Sequence, residues 1–457
     1  MKKIILFFAG IVIVAALYFC FSAAYANYQV HKSFTSEASY FDRFGIKYEL
    51  VEQQRGFLNS VYKTKLSMII SRDIVLEATA ESRAEFGIKD LNILKIGKIY
   101  TNYEYSGNIK DIFGENMFNY IANNMKNVVF DIKFDGITGK ITQEPQSLTY
   151  EIDLSDALGL PVEEKMQITY DIGAASQEIK VSFDSQNIFI SQHIDELTSQ
   201  SNVLNQTAKI EEVDYDIALN KNDIGTWLGH IKSTAKRYDL HVEDIAGSFT
   251  NYKASASAEE ENDDLLSINL KSSADELALE SKDINFKIKD FLVDITVSHL
   301  EQSGINNIAN KLSKINLGMG ETEKTLLLGS AGVDIVPLLK FHPKISLTFA
   351  GSYNGSKTNE ISGHVQYIGE DAFKVNILNF MEYLDFELKY SIDKNMLISL
   401  LQQYERDRGE RLGYSLSEEE IEQIGKDSLS KFQEIGADIG GDMIKGVINK
   451  NTNFSSL

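Results

Sequence analysis

The chain has 457 residues, 43% apolar and 24% charged, which is ordinary globular usage that argues against a disordered protein and allows two or three domains. Its formal net charge is −21, and beyond Lys2 and Lys3 it carries 43 basic against 66 acidic residues, a net of −23. That balance disfavours nucleic-acid binding by phosphate neutralisation and docking of the whole body on an anionic lipid surface.

Ile4 to Ala26 is free of charge and as a helix would span about 35 Å, enough to cross a bilayer core. Lys2 and Lys3 predict that the near end stays in the cytoplasm and that everything after the helix is exported, with Tyr25 and Tyr28 at the interfacial aromatic belt. Ala24-Tyr25-Ala26 also offers a signal-peptidase site before Asn27, the alternative reading. The unbroken apolar run from Ile4 to Phe21 exceeds the roughly 7 to 15 residues of a signal core and favours an uncleaved anchor, with Ile4, Phe8, Ile11, Val14, Leu17 and Phe21 in the membrane. The only cysteine, Cys20, follows Leu17-Tyr18-Phe19 and so lies in no lipobox. A thiol-free exported body suits an oxidising compartment, and plain scarcity of cysteine accounts for it equally well.

After the anchor, apolar and polar residues alternate at period two, the mark of half-buried antiparallel strands. Faces run through Tyr62, Thr64, Leu66, Met68 and Ile70; Leu148 to Leu154; Met166 to Ile172; Ile179 to Phe183; Val213 to Leu219; Leu266 to Leu270; Ile284 to Ile288; Ile345 to Phe349; Ile361 to Tyr367; and Leu384 to Ile392. Helical spacing predicts helices over Ile224 to Tyr238, Asn306 to Ile315 and Met396 to Glu405, with Asn222 or Asp223 capping the first and Asp393 the third. Leu219 to Ile224 echoes Ile392 to Leu397, which raises two similar halves or a coincidence of turn chemistry. Ala254 to Asp264 reads as a solvated hairpin tip. Ser415 with Glu418, or Ser417 with Glu420, supplies a capping box for a helix through Phe432, beyond which Gly436, Gly440, Gly441 and Gly446 predict a frayed surface helix.

The seven histidines, His31, His193, His230, His241, His299, His342 and His364, form no metal-binding spacing. No serine-hydrolase elbow and no phosphate-binding glycine loop occurs, and Gly351 to Gly355 suits a hairpin turn. With 66 acids, carboxylate proximity identifies no general acid or base, so no catalytic, metal or cofactor residue is nominated.

Arg55-Gly56-Phe57-Leu58-Asn59-Ser60, leading into the strand from Val61, resembles the start of the YdgA-like family of uncharacterised bacterial inner-membrane proteins. Arg55, Gly56 and Ser60 match its pattern, while Leu58 stands where an aromatic is usual and Leu91 to Tyr103 replaces the family's His-Gly-Pro element. The resemblance implies one N-terminal anchor and a periplasmic body. The residues themselves suggest a structural role: Gly56 for a tight entry into the strand, Arg55 for pairing with an acid across the sheet.

The expected fold is α+β and strand-rich, a long curved antiparallel sheet with a few amphipathic helices packed on it, although two stacked sheets would bury the same residues. Expected segments are a stub at 1–3, an anchor at 4–26, strand-rich halves at 27–250 and 265–410, and a helical end at 415–457. The expected function is that of a non-enzymatic, inner-membrane, periplasmic envelope protein whose partners are the lipid bilayer and a lipid or apolar ligand, without cofactor or nucleic acid. A structural or assembly factor acting as a homodimer is the alternative, and a periplasmic hydrolase the second.

Overall fold

Alternation dictates strands because successive side chains of an extended chain point to opposite faces, so one face can be buried while the other stays wet. The computed structural model describes residues 2–36, 46–71, 74–87, 94–107, 127–152, 166–184, 186–201, 206–281, 285–312, 321–370, 380–412, 417–434, 436–450 and 452. The chain divides into two compact units, one of Met1–Gln206, Glu212–Ile231 and Asn306–Val333, the other of Thr207–Glu211, Lys232–Ile305 and Asp334–Leu457. Every described strand pairing is antiparallel, as expected.

The first unit opens with helix α1 (Lys2–Ser36), followed by β1 (Ile46–Arg55), β2 (Asn59–Ser71), β3 (Ile74–Phe86), β4 (Lys95–Gly107), β5 (Asn127–Lys133) and β6 (Gly136–Gln143). These pair in sequence order as a meander. Strands β7 (Gln146–Ile152), β8 (Met166–Ile172), β9 (Ala175–Ser182) and β10 (Asn187–Ser201) complete it: β6 pairs β9, while β10 pairs β9 along its first half and β8 along its second. Expected face residues Leu154 and Ile284 lie outside the described residues.

Strands β11 (Gln206–Lys221) and β12 (Trp227–Val242) contribute to both units. In the second unit β13 (Ile245–Glu260), β14 (Leu265–Glu280), β15 (Asn285–Glu301), β16 (Lys344–Tyr353), β17 (Asn359–Tyr367), β18 (Leu384–Asp393) and β19 (Met443–Asn449) pair in that order. The long β15 takes up bulges at Asp290 and His299, both at positive φ of 52° and 59°. At the second, both carboxylate oxygens of Glu261 accept the His299 N–H at 3.2 Å, offsetting the strained backbone. Helices α2 (Gln302–Leu312) and α3 (Glu321–Leu338) follow β15, and α4 (Lys394–Leu412) and α5 (Glu418–Glu434) follow β18 and pack on each other. The core of this unit gathers Tyr390, Ala437 and Ile444 with Leu397, Leu429 and Phe432.

Several expectations need correction. The segment Ile224 to Tyr238 is strand β12, not helix. The Asn222 side-chain oxygen accepts the Thr226 N–H at 2.8 Å and closes a hairpin, and Gly225 and Gly229 hold φ of +88° and +121°, which no helix tolerates. The cap chemistry read at Asn222 and Asp223 is shared by turns and helix starts, and strand pairing decided between them. The echo between Leu219–Ile224 and Ile392–Leu397 is therefore no structural repeat, since one leads into a hairpin and the other into α4. The helix expected over Asn306 to Ile315 begins earlier, at Gln302, and Ile315 lies outside the described residues. Beyond α5 the expected frayed helix is strand β19, whose Gly446 meets Tyr390 of β18 so closely that a Cβ would overlap its hydroxyl.

Other readings hold. Asp393 caps α4 by accepting the Met396 N–H at 2.9 Å, and Ser417 and Glu420 form the capping box. Of the expected hairpin tip Ala254 to Asp264 only Glu261 to Asp264 turn between β13 and β14, because Ala254 to Glu260 continue β13 and pair with β14. Ser415 lies outside the described residues.

Candidate functional site

Helix α1 does not stop at Ala26 but continues to Ser36, and its second half lies on the sheet of the first unit. Ala23, Ala26 and Val30 are fully buried against Ala84 and Phe86 of β3, Tyr62 of β2 and Ile96 of β4. Small side chains on both partners allow the close approach, and Asn27 locks it by donating from Nδ2 to the Gly56 carbonyl at 2.5 Å. The resemblance residues converge here. Arg55 donates to Asn27 Oδ1 at 3.4 Å, not to an acid across the sheet, and Ser60 pairs with Arg55 across the hairpin and is buried. Gly56 turns β1 into β2 so tightly that a Cβ there would lie 2.9 Å from the Asn59 carbonyl oxygen.

Next to this latch the Tyr62 ring stacks on Phe34 of α1 at 4.3 Å between centroids and 3° between planes. The Ser60 Oγ, Tyr62 hydroxyl and His31 Nδ1 are buried without a hydrogen-bond partner among the described residues. Burial pushes the Tyr62 phenol above its ordinary value, and burial followed by the Arg55 charge pushes His31 down. Of the expected anchor residues, Val14, Leu17 and Phe21 are exposed, whereas Ile4, Phe8 and Ile11 lie outside the described side chains. Among the described residues no helix is long and apolar enough to cross a membrane.

Beside Phe34, among the described residues, lies a cavity of about 210 Å³. Its walls are Phe34, Leu66, Ala80, Ile99, Phe130, Ile137, Ile179 and Val181, interspersed with hydroxyls of Tyr48, Thr64, Ser82, Thr101 and Tyr103 and, among the described residues, with no charged side chain. Ser82 and Thr101, paired across β3 and β4, satisfy each other at 2.9 Å, and Tyr48 donates to the Phe34 carbonyl at 2.8 Å. That volume exceeds the ~150 Å³ of a dry cavity that admits benzene and falls below the ~300 Å³ of ordinary ligand pockets. It fits a short apolar chain or ring, not a whole lipid.

Ile137, Val181 and Ser182 also line a second, wider groove of about 590 Å³ at the ends of β5, β6, β9, β10, β11 and β12. Ile188, Phe189 and Leu219 extend its apolar wall, and Lys133, Lys180, His230 and Asp135 ring it. Lys180 lies 4.9 Å over the Phe189 ring and 3.3 Å from Glu178. Through Ile137, Val181 and Ser182 an uncharged hollow thus adjoins a groove of mixed charge.

Other clusters offer less. His193 bridges Asp214 at 2.7 Å and Asp195 at 3.0 Å on an exposed face, where the hydrogen bond to Asp214 raises its pKa. In the second unit an open polar hollow of about 920 Å³ borders Asp393, whose carboxylate is taken up by the N–H groups of Met396 and Lys357. Among the described residues no group of three or more His, Cys, Asp or Glu side chains is placed to hold a metal ion.

The fold and site define an antiparallel, strand-rich α+β protein whose first helix roofs a chamber without charge. The family described as bacterial protein of unknown function (DUF945) matches residues 99–438, and the chain belongs to it. The matched stretch begins after Arg55, Gly56 and Ser60. No curated protein and no solved structure matches the chain.

Sequence reasoning placed Thr64 and Leu66 on one buried face but missed the chamber. Its other walls come from two pairings, Ser82 with Thr101 across β3 and β4 and Ile137 with Val181 across β6 and β9, and the second joins strands far apart in the chain.

Proposed function

We propose that this is a non-enzymatic, membrane-tethered envelope protein of YdgA-like type that holds an apolar or amphiphilic ligand, a lipid being the natural class, between α1 and the sheet of the first unit. One observation carries the reading: a chamber without charge, roofed by Phe34 and Tyr48, that shares Ile137, Val181 and Ser182 with a wider groove. A catalytic site would need a nucleophile or a general acid and base facing a reacting centre, whereas the Ser82 and Thr101 hydroxyls bond each other and the Tyr48 hydroxyl bonds backbone. The uncharged run Ile4 to Phe21, with Lys2 and Lys3 before it, supports the tether and a periplasmic body.

The test is mass spectrometry of protein extracted in mild detergent, wild type beside Ala80→Phe, which fills the inner chamber. A stoichiometric lipid or apolar molecule is expected on the wild type and its loss on the variant. Equal retention by both, or nothing above background on either, would overturn the proposal. A dimer trapped by crosslinking in intact cells, with no ligand found, would favour an assembly factor acting as a homodimer.

A further inference from the structure

Four hairpin ends of the first unit converge on one short stretch of α1. At the β1–β2 turn, the carbonyls of Gly56 and Phe57 accept from Asn27. At the β3–β4 end, Gly87 abuts the Phe19 ring so closely that a Cβ would overlap it, and its N–H bonds the Ile96 carbonyl. At the β5–β6 turn, the Phe134 ring lies 6.0 Å from Tyr18, and its carbonyl accepts from the Tyr25 hydroxyl at 3.1 Å. At the β9–β10 end, Phe183 meets Tyr25 edge-on at 6.2 Å. All these contacts fall between Tyr18 and Asn27, a rise of about 14 Å along the helix, at the level where the apolar run from Ile4 ends.

Two of this collar's four ends, β1–β2 and β3–β4, carry large exposed apolar side chains, while the β5–β6 and β9–β10 turns carry exposed Asp135 and Asp184. Phe57 is 54% exposed, Leu58 46% and Leu94 63%, and on the helix beside them Val14, Leu17 and Phe21 are also exposed. The three collar residues belong together, because the Leu58 carbonyl accepts from Phe86 N–H next to Gly87, and Leu94 stands two residues before Ile96. A cluster of large apolar side chains at hairpin tips marks a contact surface.

We propose that the collar is a membrane-seating surface, with Phe57, Leu58 and Leu94 entering the boundary between lipid headgroups and acyl chains around the emerging helix. The occupant follows from the order along the helix: the exposed apolar residues Val14, Leu17 and Phe21 lead into the stretch that the collar grips, at the level where a spanning run would leave the bilayer. Charge does not drive it, since the body is strongly acidic and Asp135 and Asp184 sit on two of the four turns. Apolar insertion supplies the attraction. Seating would also turn the wide groove, built from the same β5–β6 and β9–β10 ends, toward the lipid surface. The inference rests on the tethering reading and adds a second, independent membrane contact to it.

Full-length protein carrying Cys20→Ser, which removes the only cysteine, receives one new cysteine at Phe57, at Leu94, or at Thr142 as control. Thr142 is exposed and lies about 20 Å along β6 from the collar. Each cysteine is labelled with an environment-sensitive dye and the protein is reconstituted in phosphatidylcholine vesicles with or without shallow spin-labelled lipid. Blue-shifted emission and several-fold quenching are expected at positions 57 and 94, and neither at 142. Labels at 57 and 94 that behave like 142 while the protein stays in the vesicles through an alkaline wash would sink the collar and spare the tether. Blue shift without quenching would assign the surface to a second copy or another protein and overturn the bilayer. Protein that washes off the vesicles would take the tether and this inference down together.

Discussion

His31 and His193 carry opposite pH signatures. At His193 the hydrogen bond to Asp214 raises the folded pKa above its ordinary 6.5. Its contribution to stability is therefore fully present below pH 6.5 and is lost as pH rises through the folded value. At His31, burial and then Arg55 lower the folded pKa below 6.5, so the unfolded chain takes up its proton first and stability falls as pH drops through that window. His193→Asn is expected to lower the melting temperature at mildly acidic pH and to leave it unchanged at alkaline pH. His31→Gln is expected to flatten the acid-side loss instead. Thermal melts across this range check both, and parallel profiles for wild type and variants would refute the assignment. Both histidines were visible in the sequence, but their environments were not, since Asp214 lies 21 residues from His193 and Arg55 lies 24 from His31.

At the scale of elements, local capping chemistry was legible and strand partnership was not. Asp393 and Ser417 each precede an apolar helical stripe, and both cap as their spacing indicates. Their worth should differ. Asp393 is buried and also accepts the Lys357 N–H at 3.1 Å, while its own N–H donates to Asn359. Asp393→Ala therefore removes a cap and also leaves the Lys357 N–H without its acceptor, costing about 2 kcal/mol. Ser417 is exposed, so Ser417→Ala should cost about 1 kcal/mol, and urea unfolding of the two variants compares them. Equal losses would show that the Lys357 contact contributes nothing. Asn222 carries the same side-chain chemistry as these caps yet closes a hairpin, because Gly225 and Gly229 in left-handed or extended positive-φ conformations admit a turn and a strand but no helix. The positions of those glycines were the available signal, and helical spacing of Ile224, Leu228 and Ile231 outweighed it.

For the whole molecule, the tether reading makes the plainest prediction. A reporter enzyme that works only outside the cytoplasm, fused after Leu457, is expected to be active, and the chain is expected to stay in the membrane fraction through an alkaline wash. Lys2→Glu with Lys3→Glu should lower the reporter signal, because the tether reading assigns the orientation to those two charges. An active cytoplasmic reporter at Leu457 would reverse the proposed location.

The amino-acid order by itself determined the charge-free opening run, the acidic body, the strand-rich class, most strand faces and the start of two helices, since all of these depend on neighbours within a few residues. The tertiary structure alone decided that α1 runs on past Ala26 to cover β2 to β4, that Asn27 and Gly56 latch it there, and that a chamber lies beside Phe34. A cavity is the space left when surfaces from distant strands fail to meet, and no local pattern encodes the shape of that remainder.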